Sequence, residues 1–222
     1  MSIVDRIEEI KKEIPESTNL IAVSKYHPTE DILTAYESGH RIFGESKAQE
    51  LITKYEVLPK DIEWHFIGHL QRNKVKYIAP FIHSIHSIDS YKLLETVNRE
   101  AKKNNRIIRC LLQIHIADEE TKYGFTFQDC RDMLSQNHWK DLQNIKIVGL
   151  MGMATNTDIE ADIKAEFTSI KQFHDELKQN YFADNVDFKE LSIGMSDDYP
   201  IAVTEGSTYI RVGSKIFGER IY

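Results

Sequence analysis

Two cysteines are all that 222 residues contain, and Cys110 and Cys130 are far apart with no C-x-x-C motif. They read as reduced core thiols of a cytosolic protein, not as the staples of a secreted one. No apolar stretch approaches membrane-spanning length. The opening Met1-Ser2-Ile3-Val4-Asp5-Arg6 lacks a signal-peptide pattern, so a cytoplasmic location is expected. Positive charge is short: 28 Lys and Arg face 35 Asp and Glu, a formal charge of −7. That balance advertises no nucleic-acid surface, although small basic pockets for anions stay open. With 5 prolines and 10 glycines, no Pro/Gly/Ser-rich linker divides the chain, and residues 1–222 are expected to form one domain. H-E-x-x-H is absent, and Gly149-Leu150-Met151-Gly152-Met153 is not the G-x-G-x-x-G of dinucleotide binding. His65 with His69, and His83 with His86, tempt a metal reading. Neighbouring strand positions face opposite sides, so no metal is expected, and His65 and His83 read as hydrogen-bonded strand residues. No pair of carboxylates stands out as acid and base.

What is present is alternation. Ile3, Ile7, Ile10 and Ile14 recur at helical spacing with charges between them, and Pro15 ends that helix. Strands are expected near residues 20–25, 41–44, 63–68, 82–88, 107–114, 145–151, 188–193 and 208–213. Helical patterns separate them, the clearest running through Ile159, Ile163, Phe167, Ile170, Leu177 and Tyr181. Eight strands with helical crossovers imply parallel pairing. The expected fold is α/β, a single (β/α)8 TIM barrel with an extra N-terminal helix, and an open doubly wound sheet is the rival.

Function in a barrel gathers at the C-terminal strand ends. Lys25 ends the first buried run, Leu20-Ile21-Ala22-Val23-Ser24-Lys25, just before Tyr26-His27-Pro28. Desolvation there favours the uncharged amine, a nucleophile toward aldehydes; a lysine that snorkels to water is the bland alternative. Gly194-Met195-Ser196-Asp197-Asp198 follows the seventh strand and Gly213-Ser214 the eighth. These loops are a recurrent phosphate site in this fold, where glycine lets backbone N–H groups approach an anion and Ser196 and Ser214 offer hydroxyls. The plain alternatives are an N-cap at Ser196 and a turn at Gly213-Ser214. Arg211, between Ile210 and Val212, is a guanidinium in a buried strand and needs a partner: a barrel carboxylate, or a ligand's ring nitrogen or phosphate.

Several segments stand in a telling order. They are Ala22-Val23-Ser24-Lys25; Phe43-Gly44-Glu45 with Gln49-Glu50; the run from Trp64 to Lys74; Gly149-Leu150-Met151; Ser192 to Asp198; and Gly206 to Ser214, ending in Phe217-Gly218-Glu219-Arg220. Together they resemble the pyridoxal phosphate homeostasis protein family, whose members are similar to the barrel domain of alanine racemase. The resemblance implies that Lys25 carries pyridoxal 5'-phosphate as a Schiff base. It implies that Ser196, Gly213 and Ser214 hold the phosphate and that Arg211 faces the pyridine nitrogen. An arginine does not readily give up its proton, so the ring would be a poor electron sink. Ser46 stands where the family usually has asparagine after Phe-Gly-Glu, and Ser214 keeps the hydroxyl of the more common threonine.

Three functions compete. The first is a non-catalytic carrier that stores or delivers pyridoxal phosphate, limits the free aldehyde and has apo-enzymes as recipients. The second is an amino-acid racemase. The third is a Schiff-base aldolase using Lys25 without a cofactor. The chain stops at Tyr222, directly after the last βα unit, without the β-rich domain that gives alanine racemases a second base. The expectation is therefore a carrier, monomeric, touching neither nucleic acid nor membrane.

Overall fold

A computed structural model describes residues 1–117 and 123–218. Eight strands close into a barrel in sequence order, β1 (Asn19–Val23), β2 (Ile42–Glu45), β3 (Glu63–Phe66), β4 (Ser84–Ile88), β5 (Ile108–Gln113), β6 (Ile145–Met151), β7 (Glu190–Ser192) and β8 (Tyr209–Val212). Every neighbouring pair is parallel, and β1 closes on β8 with Leu20 beside Ile210 and Ile21 beside Arg211. The closed barrel excludes the open sheet.

The helices follow the apolar periodicity. They are α1 (Ile3–Glu13), α2 (Thr29–Glu37), α3 (Ala48–Val57), α4 (Val75–Ile78), α5 (Tyr91–Lys103), α6 (Phe127–Ser135), α7 (Glu160–Asn180), α8 (Tyr199–Thr204) and α9 (Ser214–Phe217). The longest, α7, buries Ile163, Phe167, Ile170, Phe173, His174 and Leu177 along one stripe. Each large apolar side chain so buried contributes about 1.5–3 kcal/mol. The strand ends fall within two residues of the expected ranges, and β6 matches its range; β1 ends at Val23, where Ser24 N–H still reaches Gly44 O at 3.1 Å. Sequence periodicity could not announce α8 and α9, which are too short to show a repeat.

The extra N-terminal helix has a structural task. Ser2 and Asp5 form a reciprocal capping box at its start. Arg6 Nη1 donates to Ile216 O at 3.0 Å, and Tyr199 Oη donates to a Glu13 carboxylate oxygen. Thus α1 ties down both short helices, α8 after β7 and α9 after β8. The acidic run Asp118-Glu119-Glu120, expected to be a solvated loop, and the terminal Glu219-Arg220 lie outside the described residues.

Candidate functional site

At the C-terminal mouth a cavity of about 210 Å³ gathers Lys25, Ser46, Ser196, Arg211, Gly213 and Ser214 on one wall system. Every binding residue expected from the sequence lines this one cavity. His27, Met153, Met195 and Asp197 complete much of the rest. A larger cavity of about 460 Å³ opens alongside and shares Met153, Met195 and Asp197 with it. It is lined by acids such as Asp158 and Asp198 and holds neither cation, so the chemistry belongs to the smaller space.

Lys25 is placed by a buried ionic clamp. Lys54 Nζ, on α3, donates at 2.7 Å to Glu45 Oε1, Glu50 Oε1 and Ser24 O. Ser24 Oγ donates to Glu45 Oε1 at 2.6 Å, and Tyr26 N–H donates to Glu50 Oε1 at 2.6 Å. Both neighbours of Lys25 in the chain are therefore fixed by side chains. Tyr26 adopts φ +67°, a left-handed conformation unusual for a tyrosine, which the Glu50 bond helps to hold. Burial pushes the Glu45 carboxyl up to about 7, with Lys54 opposing the shift, and Glu45 Oε2 is buried without a hydrogen-bond partner. The sequence landmark Phe43-Gly44-Glu45 showed nothing of this role. A carboxylate on β2 and a lysine on α3 meet only once the βα unit has folded.

Arg211 is 4% exposed, and among the described residues no carboxylate pairs with it. Its Nη1 donates to Ser192 O at 2.7 Å and Ser192 Oγ at 2.8 Å, and its Nη2 donates to Gly152 O at 2.9 Å. Its hydrogen bonds to the described residues run from Nη1 and Nη2 alone, one of them from Nη2. Burial lowers the guanidinium to about 10, still above neutral pH, so it stays charged. The bland expectation of a barrel carboxylate is set aside. The residue is an anchored cation with donors to spare on a cavity wall.

The two loops after β7 and β8 touch: Gly213 N–H donates to Ser196 Oγ at 3.3 Å. Gly194 makes the turn that brings Ser196 over, with φ +93°, and a Cβ there would meet Ala202 Cβ at 2.6 Å. A Cβ on Gly213 would sit 3.1 Å from Val23 O, so glycine keeps β8 close to β1 at the cavity edge. Ser196 is not the N-cap of α8; Asp198 holds that position. Asp198 Oδ1 accepts from Met195 N–H at 2.5 Å and is tied away from the cavity, whereas Asp197 remains on its wall. Among the histidines, Glu63, His65 and His83 have ligand-type atoms within 4.8 Å of one another. His65 pairs with His86 across strands, not with His69 along the chain.

The cavity thus offers one amine, one guanidinium, serine hydroxyls and a backbone N–H, a donor set for a small ligand bearing a carbonyl and an anionic group. Comparison with known proteins agrees with that chemistry. The family model described as alanine racemase, N-terminal domain, matches residues 2–221. The pyridoxal phosphate homeostasis protein of Aquifex aeolicus is 35% identical over 224 residues, covering 99% of this chain and 96% of its own. The human protein of the same name is 36% identical, covering 91% and 77%. The structure of PipY from Synechococcus elongatus with pyridoxal phosphate bound superposes with a TM-score of 0.88 at 38% identity, covering 98% of this chain and all of that one. An alanine racemase of Clostridium difficile, 12% identical with a TM-score of 0.75, shares the fold. With full-length identity of this order and a matching barrel, this chain belongs to the pyridoxal phosphate homeostasis protein family.

Proposed function

We propose that this protein is a non-catalytic carrier that holds pyridoxal phosphate covalently on Lys25, limits the free aldehyde and supplies the cofactor to apo-enzymes. The observation that carries the reading is the single cavity containing Lys25, Ser196, Arg211, Gly213 and Ser214. The PipY relative holds the same cofactor. When bound, the group supplies an aldehyde, which a lysine amine condenses with at the loss of one water, and a phosphate. The donor set fits it. Ser196 Oγ, Ser214 Oγ and the backbone at Gly213 suit the phosphate, and the unspent Arg211 donors suit an unprotonated ring nitrogen. Asp197 is the one carboxylate on the wall, and the Arg211 guanidinium opposes it. Ser46 takes the family asparagine's place on that wall and offers a shorter donor.

The carrier reading over the racemase reading rests on Arg211. A guanidinium facing the ring nitrogen withholds the proton that would make the ring a strong electron sink. The likeness to alanine racemases, at 12% identity, concerns the barrel alone. The whole site lies on one barrel, so a monomer and a single domain suffice. Cys110 and Cys130 are buried free thiols, raised well above the usual thiol range by burial, which suits a reducing cytosol.

The test is a visible spectrum with borohydride reduction and peptide mapping, on wild type and Lys25→Ala. Wild type should be coloured and labelled at Lys25 alone, and the variant should be colourless and unlabelled. Label retained in the variant would overturn the attachment site. Racemisation of alanine or serine at ordinary enzyme rates by purified protein would overturn the carrier reading. A colourless wild type that cleaves aldol substrates would favour the aldolase.

A further inference from the structure

Barrels of this kind are normally filled by branched aliphatic side chains. Here two small apolar clusters stand apart from the main core, Ile21, Val23 and Tyr209 in one and Leu111, Val148 and Met151 in the other. A hydrogen-bonded chain of buried side chains also crosses four strands. Arg211 on β8 donates to Ser192 Oγ on β7 at 2.8 Å. Ser192 Oγ lies 2.9 Å from His86 Nδ1 on β4, and His86 Nε2 lies 2.8 Å from His65 Nδ1 on β3. His65 Nε2 ends the chain, buried with no partner among the described residues. Ser192 and His86 are 0% exposed and His65 1%, so the links lie out of reach of bulk solvent.

The direction of this chain follows from its first member. A guanidinium has only donors, so Ser192 Oγ accepts from Arg211. The serine hydrogen then needs an acceptor, and the one in reach is His86 Nδ1. His86 must carry its hydrogen on Nε2 and donate to His65 Nδ1, leaving His65 with its hydrogen on Nε2. The opposite direction would strand two groups, the Ser192 hydroxyl hydrogen and the His65 Nε2 lone pair, where the first strands one.

We propose that Arg211 sets the polarity of the Ser192–His86–His65 chain, and that these three are positioning residues that hold the charged guanidinium at the cofactor cavity. Two neutral imidazoles suit this task. Burial pushes both His65 and His86 well below the ordinary histidine value, and Arg211 adds to the effect at His86, so no further cation crowds it. The same polarity opposes a cation at the far end. Metal binding at Glu63, His65 and His83 would need a lone pair on His65 Nε2 and would reverse every link. The polarity stands on geometry alone, and only its bearing on the cofactor rests on the function proposed above.

Long-range 1H–15N spectra of histidine-labelled, cofactor-free protein test it. His65 and His86 should both appear as Nε2–H tautomers, unchanged by added Zn²⁺. Ser192→Ala removes one oxygen from a tight site and should fold; it cuts the chain and should release His86 into mixed tautomers. The half-saturation for pyridoxal phosphate should rise about tenfold in that variant, with the borohydride label still on Lys25. Nδ1–H tautomers or doubly protonated rings in wild type, a Zn²⁺-induced shift at His65, or unaltered tautomers in Ser192→Ala would overturn the polarity. Altered tautomers with unaltered half-saturation would overturn the positioning role. Absence of cofactor binding by wild type would instead remove the function proposed above and leave the tautomer result standing.

Discussion

Glu45 accepts from the hydroxyl of Ser24, the chain neighbour of Lys25, and its environment works against its charge. Its carboxyl lies at about 7 because burial outweighs Lys54. An acid raised on folding binds its proton more tightly in the native state, so its stabilising contribution is full below about 4.5 and is lost as pH rises to about 7. Glu45→Gln removes that loss. Its stability relative to wild type should rise with pH across this window, by up to about 1.4 kcal/mol per pH unit, as read from urea midpoints at pH 5 and 7.5. A constant difference would show that Glu45 is ionised throughout. Lys54 is the opposite case. Its amine is shared by two carboxylates and a backbone oxygen, so Lys54→Met should cost about 3–5 kcal/mol and weaken cofactor retention together. Loss of stability with wild-type retention would separate the clamp from Lys25. Lys25, Arg211, Ser196, Gly213 and Ser214 were legible as residues in odd places. The roles of Glu45 and Lys54 were not, and His65 read as a hydrogen-bonded strand residue without its partner His86, because a polar residue in a strand or on a helix names no partner until the barrel closes.

At the level of elements, the loops after β7 and β8 are held from outside. Gly194 allows the turn, and α1 clamps α8 and α9 through Glu13 and Arg6. Gly194→Ala forces a side chain into φ +93° against Ala202, which should cost about 1–3 kcal/mol and raise the half-saturation for pyridoxal phosphate. Thermal melts and titration of the visible band check both; an unaltered melt would mean that the turn relaxes freely. The sequence pattern delivered all eight strands and the long helices in order, since each carries several apolar residues at a fixed period. The short α8 and α9 escaped it, although they flank the site, because four to six residues hold too little periodicity.

For the whole molecule, acid is the revealing condition. Burial lowers His40 to about 4, and His65, His86 and His174 also lie below the ordinary 6.5. Each is neutral when folded and charges when unfolded, so stability present above about 6.5 is lost as pH falls toward the folded values. With His83, also lowered by burial, five such histidines oppose the raised Glu45. The chain should therefore lose stability between pH 6.5 and 4, by about 1.4 kcal/mol per pH unit for each histidine still uncharged. Chemical denaturation at pH 7 and 5 reads this directly, and equal stabilities would contradict the buried neutral rings. The amino-acid sequence by itself determined the barrel and picked out the residues that line the cavity at its mouth. Periodicity and strand-end chemistry are local properties, and a lysine or arginine in an apolar run is conspicuous without any neighbour. Only the tertiary structure decided who holds them. Hydrogen bonds such as Arg211 to Ser192 and Lys54 to Ser24 join residues 19 and 30 apart in sequence, and directions in such chains follow from the three-dimensional order of donors and acceptors.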